Sequence, residues 1–197
     1  RGLADLAKRR FLVETTIEQQ LDFIALLETR RDNFTSQFLG TLSGGIDFDW
    51  HVLPPRGRSG GILLGVRCET LEVLNVVRGD SAVKFRVRSK LDGFRWSLIA
   101  VYGEAQPKLK PDFLADLVRI CGDETVPILV RGDFNIIRRR DEKNNDNFDG
   151  HWSMMFNMII ESLSLREIEL TGRQFTWANS LPTPTYEKLD RVLASVD

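Results

Sequence analysis

The stretch Val126-Pro127-Ile128-Leu129-Val130-Arg131-Gly132-Asp133-Phe134-Asn135 constrains this chain more than any other. A short apolar run bounded by turn residues is the pattern of a buried strand. The glycine, aspartate and asparagine that close it set a carboxylate and an amide where strand becomes loop, the edge at which open α/β sheets keep their chemistry. Gly132-Asp133-Phe134-Asn135 also spells an ordinary turn, because Asp and Asn tolerate left-handed backbone and bond to it. On these residues alone both readings stand.

The chain has 197 residues, 42% of them hydrophobic, which suits one domain with a real core. Its formal charge of -1, from 27 basic and 28 acidic residues, argues against a generic polyanion binder, so any nucleic-acid contact must come from local clusters. Cys68 and Cys121 are too few and too far apart for a zinc site or a disulfide framework, and read as small buried hydrophobes in a reducing compartment. No apolar run is long enough to span a membrane, and no targeting segment stands out, so an intracellular location, nuclear or cytoplasmic, and a monomer are expected. Arg1-Gly2-Leu3 has neither an initiating Met nor a signal-peptide core, which leads to the expectation of a chain cut from something longer.

Residues 3–20 read as a surface helix with a stripe at Leu6, Val13, Ile17 and Leu21, and residues 21–27 as a buried strand ending on Glu28. A helix over 33–39, strands over 48–52 and 62–66, and a glycine and arginine loop over 57–61 follow. Runs at 71–77, 82–87 and 94–101 are broken by Arg78-Gly79-Asp80 and Asp92-Gly93, a strong hairpin signal, so a meander fills the middle. Pro111 opens a helix with Phe113, Leu114, Leu117, Val118 and Cys121 on one face. Residues 138–150 read as a long polar loop. After it, Trp152, Met155, Phe156, Ile159, Ile160 and Leu163 fall at core spacing on a helix, and strands over 174–178 and 189–194 end the chain. Strands alternating with helices at both ends and a meander between them predict an α/β sandwich of mixed sheets flanked by helices.

Glu28, Tyr102, Asp133 with Asn135, and Asp190 stand at strand ends in this reading. A carboxylate such as Glu28 is there either a solvated strand end or a ligand for a hard cation. Tyr102 is equally a tyrosine that buries its ring and wets its hydroxyl, and Asp190 beside Arg191 equally a local ion pair.

Leu26-Leu27-Glu28-Thr29, Gly57-Arg58-Ser59-Gly60-Gly61-Ile62, Val101-Tyr102-Gly103, Gly132-Asp133-Phe134-Asn135, Phe175-Thr176-Trp177 and Lys188-Leu189-Asp190-Arg191 occur in the order found in the endonuclease/exonuclease/phosphatase superfamily. Over nearly the full chain the string most resembles the endonuclease domain of plant LINE-type non-LTR retrotransposons, related to apurinic endonucleases. The resemblance implies a four-layered α/β sandwich with one divalent-metal site, Mg²⁺ or Mn²⁺, hydrolysing phosphodiesters in DNA. By it, Glu28 holds the metal, Asp133 orients and deprotonates the attacking water with its own pKa kept low beside the cation, and Asn135 bonds a phosphate oxygen. Tyr102 donates to charge developing on phosphorus, and Asp190 matches the aspartate that orients the family's histidine.

The sequence departs from that pattern in places. The family's metal-site asparagine would lie just before Arg1, and the terminal Ser-Asp-His block beyond Asp190 is not found, so the domain is expected to lack its first and last strands and to be inactive or weakly active. His51 and His151 match nothing catalytic. Leu27 stands where the family has Gln, and Glu104 where the plant elements carry Pro. Arg138, Arg139 and Arg140 follow the catalytic strand and are candidate DNA-backbone contacts. Lys84, Arg86, Arg88 and Lys90 share a strand face that either meets phosphates or keeps a sheet soluble. Trp177 reads as core packing before a DNA wedge. A reverse transcriptase downstream would use the nick's 3′ hydroxyl. Two other readings remain, a non-catalytic fragment of the same domain and a phosphoinositide-type phosphomonoesterase. The latter carries Trp-Cys where this chain has Lys188-Leu189.

Overall fold

The computed structural model describes residues 5–55 and 60–196; Arg1-Gly2-Leu3 and Gly57-Arg58-Ser59 lie outside the described residues. The helices start where a short polar side chain can take up free backbone N–H groups. Asp5 accepts from the amides of Ala7 and Lys8 to begin α1 (Leu6–Glu18), Thr35 accepts from Phe38 N to begin α2 (Ser36–Ser43), and Asp149 accepts from His151 N to begin α4 (Gly150–Ser162). Between the last two, α3 (Lys110–Gly122) carries Pro111 in its first turn, where the missing amide costs nothing.

The strands are β1 (Phe23–Leu27), β2 (Phe48–Leu53), β3 (Ile62–Arg67), β4 (Leu71–Arg78), β5 (Ala82–Ser89), β6 (Arg95–Tyr102), β7 (Ile128–Asp133), β8 (Leu165–Ile168), β9 (Trp177–Ala178), β10 (Tyr186–Glu187) and β11 (Asp190–Ser195). They form a six-stranded sheet in the order β4-β5-β6-β7-β11-β8, an antiparallel three-stranded sheet β1-β3-β2, and the short pair β10-β9. The large sheet is mixed because β6 and β7 run parallel, a step that needs a crossover, here α3.

Strand β6 shows how the layers follow from sequence. Leu98 and Ala100 point into a core shared with the small sheet, with Leu64, Val66 and Phe85. Ile99 and Val101 point the other way, into a core with Phe113, Leu117, Phe134 and Phe156 beneath α3 and α4. A strand buried on both faces reads as an unbroken apolar run. In the small sheet, Ile62, Leu64 and Val66 face that shared core, while Leu63 and Ile24 are buried outside it; helices α1 and α2 pack on each other. An α/β fold with mixed sheets flanked by helices is therefore present, as expected.

Several boundaries differ from expectation. The stripe on α1 is not buried, since Leu6 and Ile17 are exposed and Thr16 is its buried residue. Helix α2 begins at Ser36 because Thr35 supplies the cap. Val118 of α3 is 40% exposed, and Ile120 takes the core place next to Cys121; on α4, Met155 is 36% exposed while Phe156 and Ile160 are buried. In both helices the apolar stripe is narrower than the apolar residues present. Strand β9 has only two residues, and β8 and β10 were not anticipated, because each is too short to show a period. The polar stretch 138–150 is tied down: it contains a 3₁₀ turn, Arg140–Glu142, and Asn144 exchanges bonds with Tyr186.

The basic row from Lys84 to Lys90 is covered at one end, where Lys84 lies under α3, and open at the other, where Arg88 and Lys90 form an outer face whose charges are engaged by the protein. Lys84 donates to the Ile120 carbonyl at 2.9 Å and pairs with Glu124, which Arg86 also contacts, so the strand holds the end of α3. Arg88 pairs with Glu72, and Lys90 donates to the Cys68 carbonyl.

Candidate active site

Strand register places the candidate residues on one edge. Tyr102 ends β6 opposite Asp133, which ends β7, and Asp190 begins β11 opposite the same Asp133. Cross-strand partners share a face, so the phenol and two carboxylates lie side by side. Asp190 thus opens its strand where the sequence suggested a strand end; the antiparallel direction of β11 brings it to the same edge.

Glu28 arrives from the other sheet. Just past β1 the backbone turns left-handed at Glu28 (φ 54°) and Arg30 (φ 51°), and Arg30 N bonds the Gly60 carbonyl at 2.7 Å. A side chain on Gly60 would sit 2.6 Å from the Glu28 Cα, so this approach requires glycine. The result is a 2.5 Å hydrogen bond from the Tyr102 hydroxyl to Glu28 Oε1. At the second close approach, a Cβ on Gly132 would lie 1.9 Å from the Val101 carbonyl oxygen, which fixes the residue before Asp133.

The Gly-Asp-Phe-Asn stretch is an ordinary turn, and its polar side chains also line the cleft. Asn135 adopts φ 49°, its amide nitrogen donates to Asp133 Oδ1 at 2.9 Å, and its Nδ2 donates to the Gly103 carbonyl at 2.8 Å. Phe134 between them is fully buried, packed between Phe113 and Phe156. The aromatic residue anchors the turn, and the polar residues on either side face outward from it.

Burial pushes the Asp133 carboxyl up to about 6; the Asn135 amide opposes this, and the charges of Asp190 and Glu28 add to it. The low value expected for Asp133 belongs to a carboxylate beside a bound cation, whose charge would oppose both burial and the neighbouring carboxylates. Burial also raises Tyr102, helped by its bond to Glu28, so the phenol stays protonated and a donor. Asp190 is raised by burial, against a bond from Thr176 and the charges of Arg131 and Arg173.

Glu28, Tyr102, Asp133 and Asn135 line one cleft of about 530 Å³, together with Lys110, Lys143, Trp152 and Trp177. Trp177 is 43% exposed there, so it is not core packing. Asp190 borders the neighbouring hollow of about 620 Å³ with Arg131, Arg173 and Thr176. Its partner is not Arg191, which turns to the opposite face. Thr176 was missed: its hydroxyl accepts from the amides of Leu189 and Asp190, seating the strand that carries the carboxylate.

The arginine cluster is not on the cleft wall. Arg138 binds Asn157 and Glu167, each at 2.7 Å, Arg139 pairs with Asp141 and Glu142, and Arg140 pairs with Asp146. The cations that do line it, Lys110 and Lys143, carry no motif in the sequence. His51 pairs with Asp49 on β2, and His151 stacks edge-on against Trp152; among the described residues no histidine lines the cleft.

No group of three or more ligand-type side chains gathers for a metal among the described residues. The donor set nevertheless suits Mg²⁺, which keeps most of its waters and takes one or two carboxylates plus phosphate. Glu28, fixed by Tyr102 and facing a site with excess negative charge, is such a carboxylate.

Residues 1–197 match the profile described as the Endonuclease/Exonuclease/phosphatase family. The chain belongs to that family. Comparison with curated protein sequences gave no match. Among solved structures it resembles the 3′ phosphatase NExo from Neisseria bound to a product DNA hairpin, at 16% identity and TM-score 0.71, over 96% of this chain and 82% of that one. It also resembles the AP endonuclease LMAP from Leishmania major, at 16% identity and TM-score 0.70, over 99% and 75%. A third similar structure is ANGEL2, a 2′,3′-cyclic phosphatase, at 12% identity and TM-score 0.65, over 99% and 75%. At these identities the likeness is one of fold. No helix among the described residues is long and apolar enough to cross a membrane.

Proposed function

We propose that this member of the endonuclease/exonuclease/phosphatase family hydrolyses phosphodiester bonds in DNA, as the nicking endonuclease domain of a retrotransposon-derived protein. The observation that carries the reading is the convergence of Glu28, protonated Tyr102, Asp133 and Asn135 in one open cleft. A bound Mg²⁺ or Mn²⁺, held by Glu28, would neutralise charge on the phosphate. Asp133 takes the proton from the attacking water, a task for which a carboxyl near 6 is suited at neutral pH. Asn135 keeps one amide hydrogen on Gly103 and offers the other to a phosphate oxygen. Tyr102, held as a donor, shifts its hydrogen bond from Glu28 toward the developing oxyanion. Asp190, seated by Thr176, sets the field beside Asp133.

The nicking and retroelement reading is supported by the ordered sequence blocks, and a downstream reverse transcriptase would extend the 3′ hydroxyl. Lys188-Leu189 before Asp190 favours the nuclease over the phosphoinositide-type branch.

The test is nicking of supercoiled plasmid in Mg²⁺, against EDTA and Asp133→Asn. Slow nicking that EDTA abolishes and Asp133→Asn lowers by about 10²- to 10⁴-fold supports the reading. DNA binding without nicking from any form favours the non-catalytic domain. Phosphate release from a monoester without nicking favours the phosphatase branch.

A further inference from the structure

Lys110 opens α3 on the same cleft wall as Asp133 and Asn135. Its ammonium donates to the Asn135 backbone carbonyl at 3.0 Å and lies 5.9 Å from the centre of the Trp152 ring. The other cation of the cleft, Lys143, is neutralised by Glu187 at 2.7 Å. Asp149, close enough to act on Lys110, spends its carboxylate capping α4 through His151 N. Among the described residues, then, Lys110 is the cleft cation with no carboxylate in ion-pair contact, and its one hydrogen bond leaves further N–H groups to face a ligand. Burial lowers its pKa, so the charge is held there at some cost. An aromatic face, a carbonyl and the more distant charges of Asp149 and Glu187 offset only part of that cost.

We propose that Lys110 is a phosphate-contact residue that grips the strand phosphate adjoining the one hydrolysed. The assignment rests on the nucleic-acid reading of the site and deepens it by naming where the substrate backbone continues beyond Asn135. A phosphate oxygen would supply the anion that the protein leaves out. Lysine suits this role as a point charge, with no need for bidentate geometry. The competing role is purely structural, a pin through the Asn135 carbonyl that any donor of similar length could fill.

Binding without turnover separates these. Anisotropy of a fluorescein-labelled duplex is measured in EDTA over a salt series with wild type, Lys110→Gln, Lys110→Arg, and Lys8→Gln on exposed α1 as control. Lys110→Gln is expected to weaken binding by about 3- to 10-fold near 0.1 M salt and to reduce the slope of log K against log salt by about one. Lys110→Arg and Lys8→Gln should keep the wild-type slope. An unchanged slope in Lys110→Gln with wild-type binding intact overturns the assignment and leaves the nuclease reading standing, even if that variant melts earlier. Failure of wild type to bind the duplex at any salt overturns both.

Discussion

Asp190 and Arg191 are neighbours on β11, yet they open onto opposite electrostatic regimes. On Arg191's face every charge is answered. Its guanidinium, 1% exposed, binds Glu142 through both nitrogens, Glu167 at 2.9 Å and the Lys188 carbonyl at 2.9 Å. Lys188 and Arg138 also close on Glu167, each at 2.7 Å. Burial opposes the Glu167 charge, but these cations outweigh it and hold its carboxyl down to about 2. On Asp190's face the charges of Asp190 and Glu28 act on Asp133, and burial holds both Asp133 and Asp190 above their ordinary range, Asp190 against a bond from Thr176 and the charges of Arg131 and Arg173. One strand thus separates a set of charges that stabilises the fold from a set that is left in excess. That excess is what a hard cation would settle, which is why one region reads as scaffold and the other as site.

Breaking the paired side should have the largest effect. Arg191→Met takes from buried Glu142 its closest cation and leaves Glu167 with Lys188 and Arg138, and loss of one partner from a buried ion pair costs about 3–5 kcal/mol. A urea midpoint within error of wild type would show that the network contributes nothing. The acid limb follows from the same group. Because the folded Glu167 carboxyl lies below its unfolded value, its contribution is present above about pH 4.5 and is lost as pH falls toward 2. Glu167→Gln should flatten that limb of the stability curve.

On the site face the sign reverses. The folded Asp133 carboxyl titrates near 6, above an unfolded value of about 3.9, so its own contribution to stability is greatest below pH 4 and falls as pH rises through the interval to 6. Asp133→Asn keeps the oxygen that accepts from the Asn135 amide and removes the charge. It is therefore expected to be more stable than wild type by on the order of 2–3 kcal/mol at pH 7.5, with the gain vanishing near pH 4. Melting curves at both pH values check this, and a variant less stable at pH 7.5 would mean that the carboxylates are not in excess.

The two regimes were unequally legible in the sequence. Gly132-Asp133-Phe134-Asn135 could be placed because strand, turn and core anchor are local, and Glu28 because an apolar run ended on it. The fold class followed from strands such as β6 whose apolar runs are buried on both faces. The paired network was not visible, because Arg191 meets Glu142 and Glu167 across sequence separations of 49 and 24. For the same reason Arg138 looked available for DNA when Glu167, on the unanticipated β8, had already claimed it. Trp177 stood in a recognisable block but was read as core, and Lys110 reaches the cleft only through tertiary packing, with nothing in its neighbours in sequence to mark it.

The smallest expected effect sharpens the comparison most directly. If the excess charge on the site face is settled by a hard cation through Glu28, Mg²⁺ should stabilise the wild-type chain at pH 7.5 by about 1.4 kcal/mol at ten times its Kd, a rise in melting temperature of about 3–6 °C. Glu28→Gln removes the ligand while keeping an acceptor for the Tyr102 hydroxyl, so its own melting should be little changed and its Mg²⁺ response lost. Asp133→Asn, with less charge to settle, should respond more weakly than wild type. Arg191→Lys, altered on the far face, should keep the full Mg²⁺ increment on a lower baseline. An equal increment in Glu28→Gln and wild type would place cation binding elsewhere and remove the reason for reading the crowded carboxylates as a metal site.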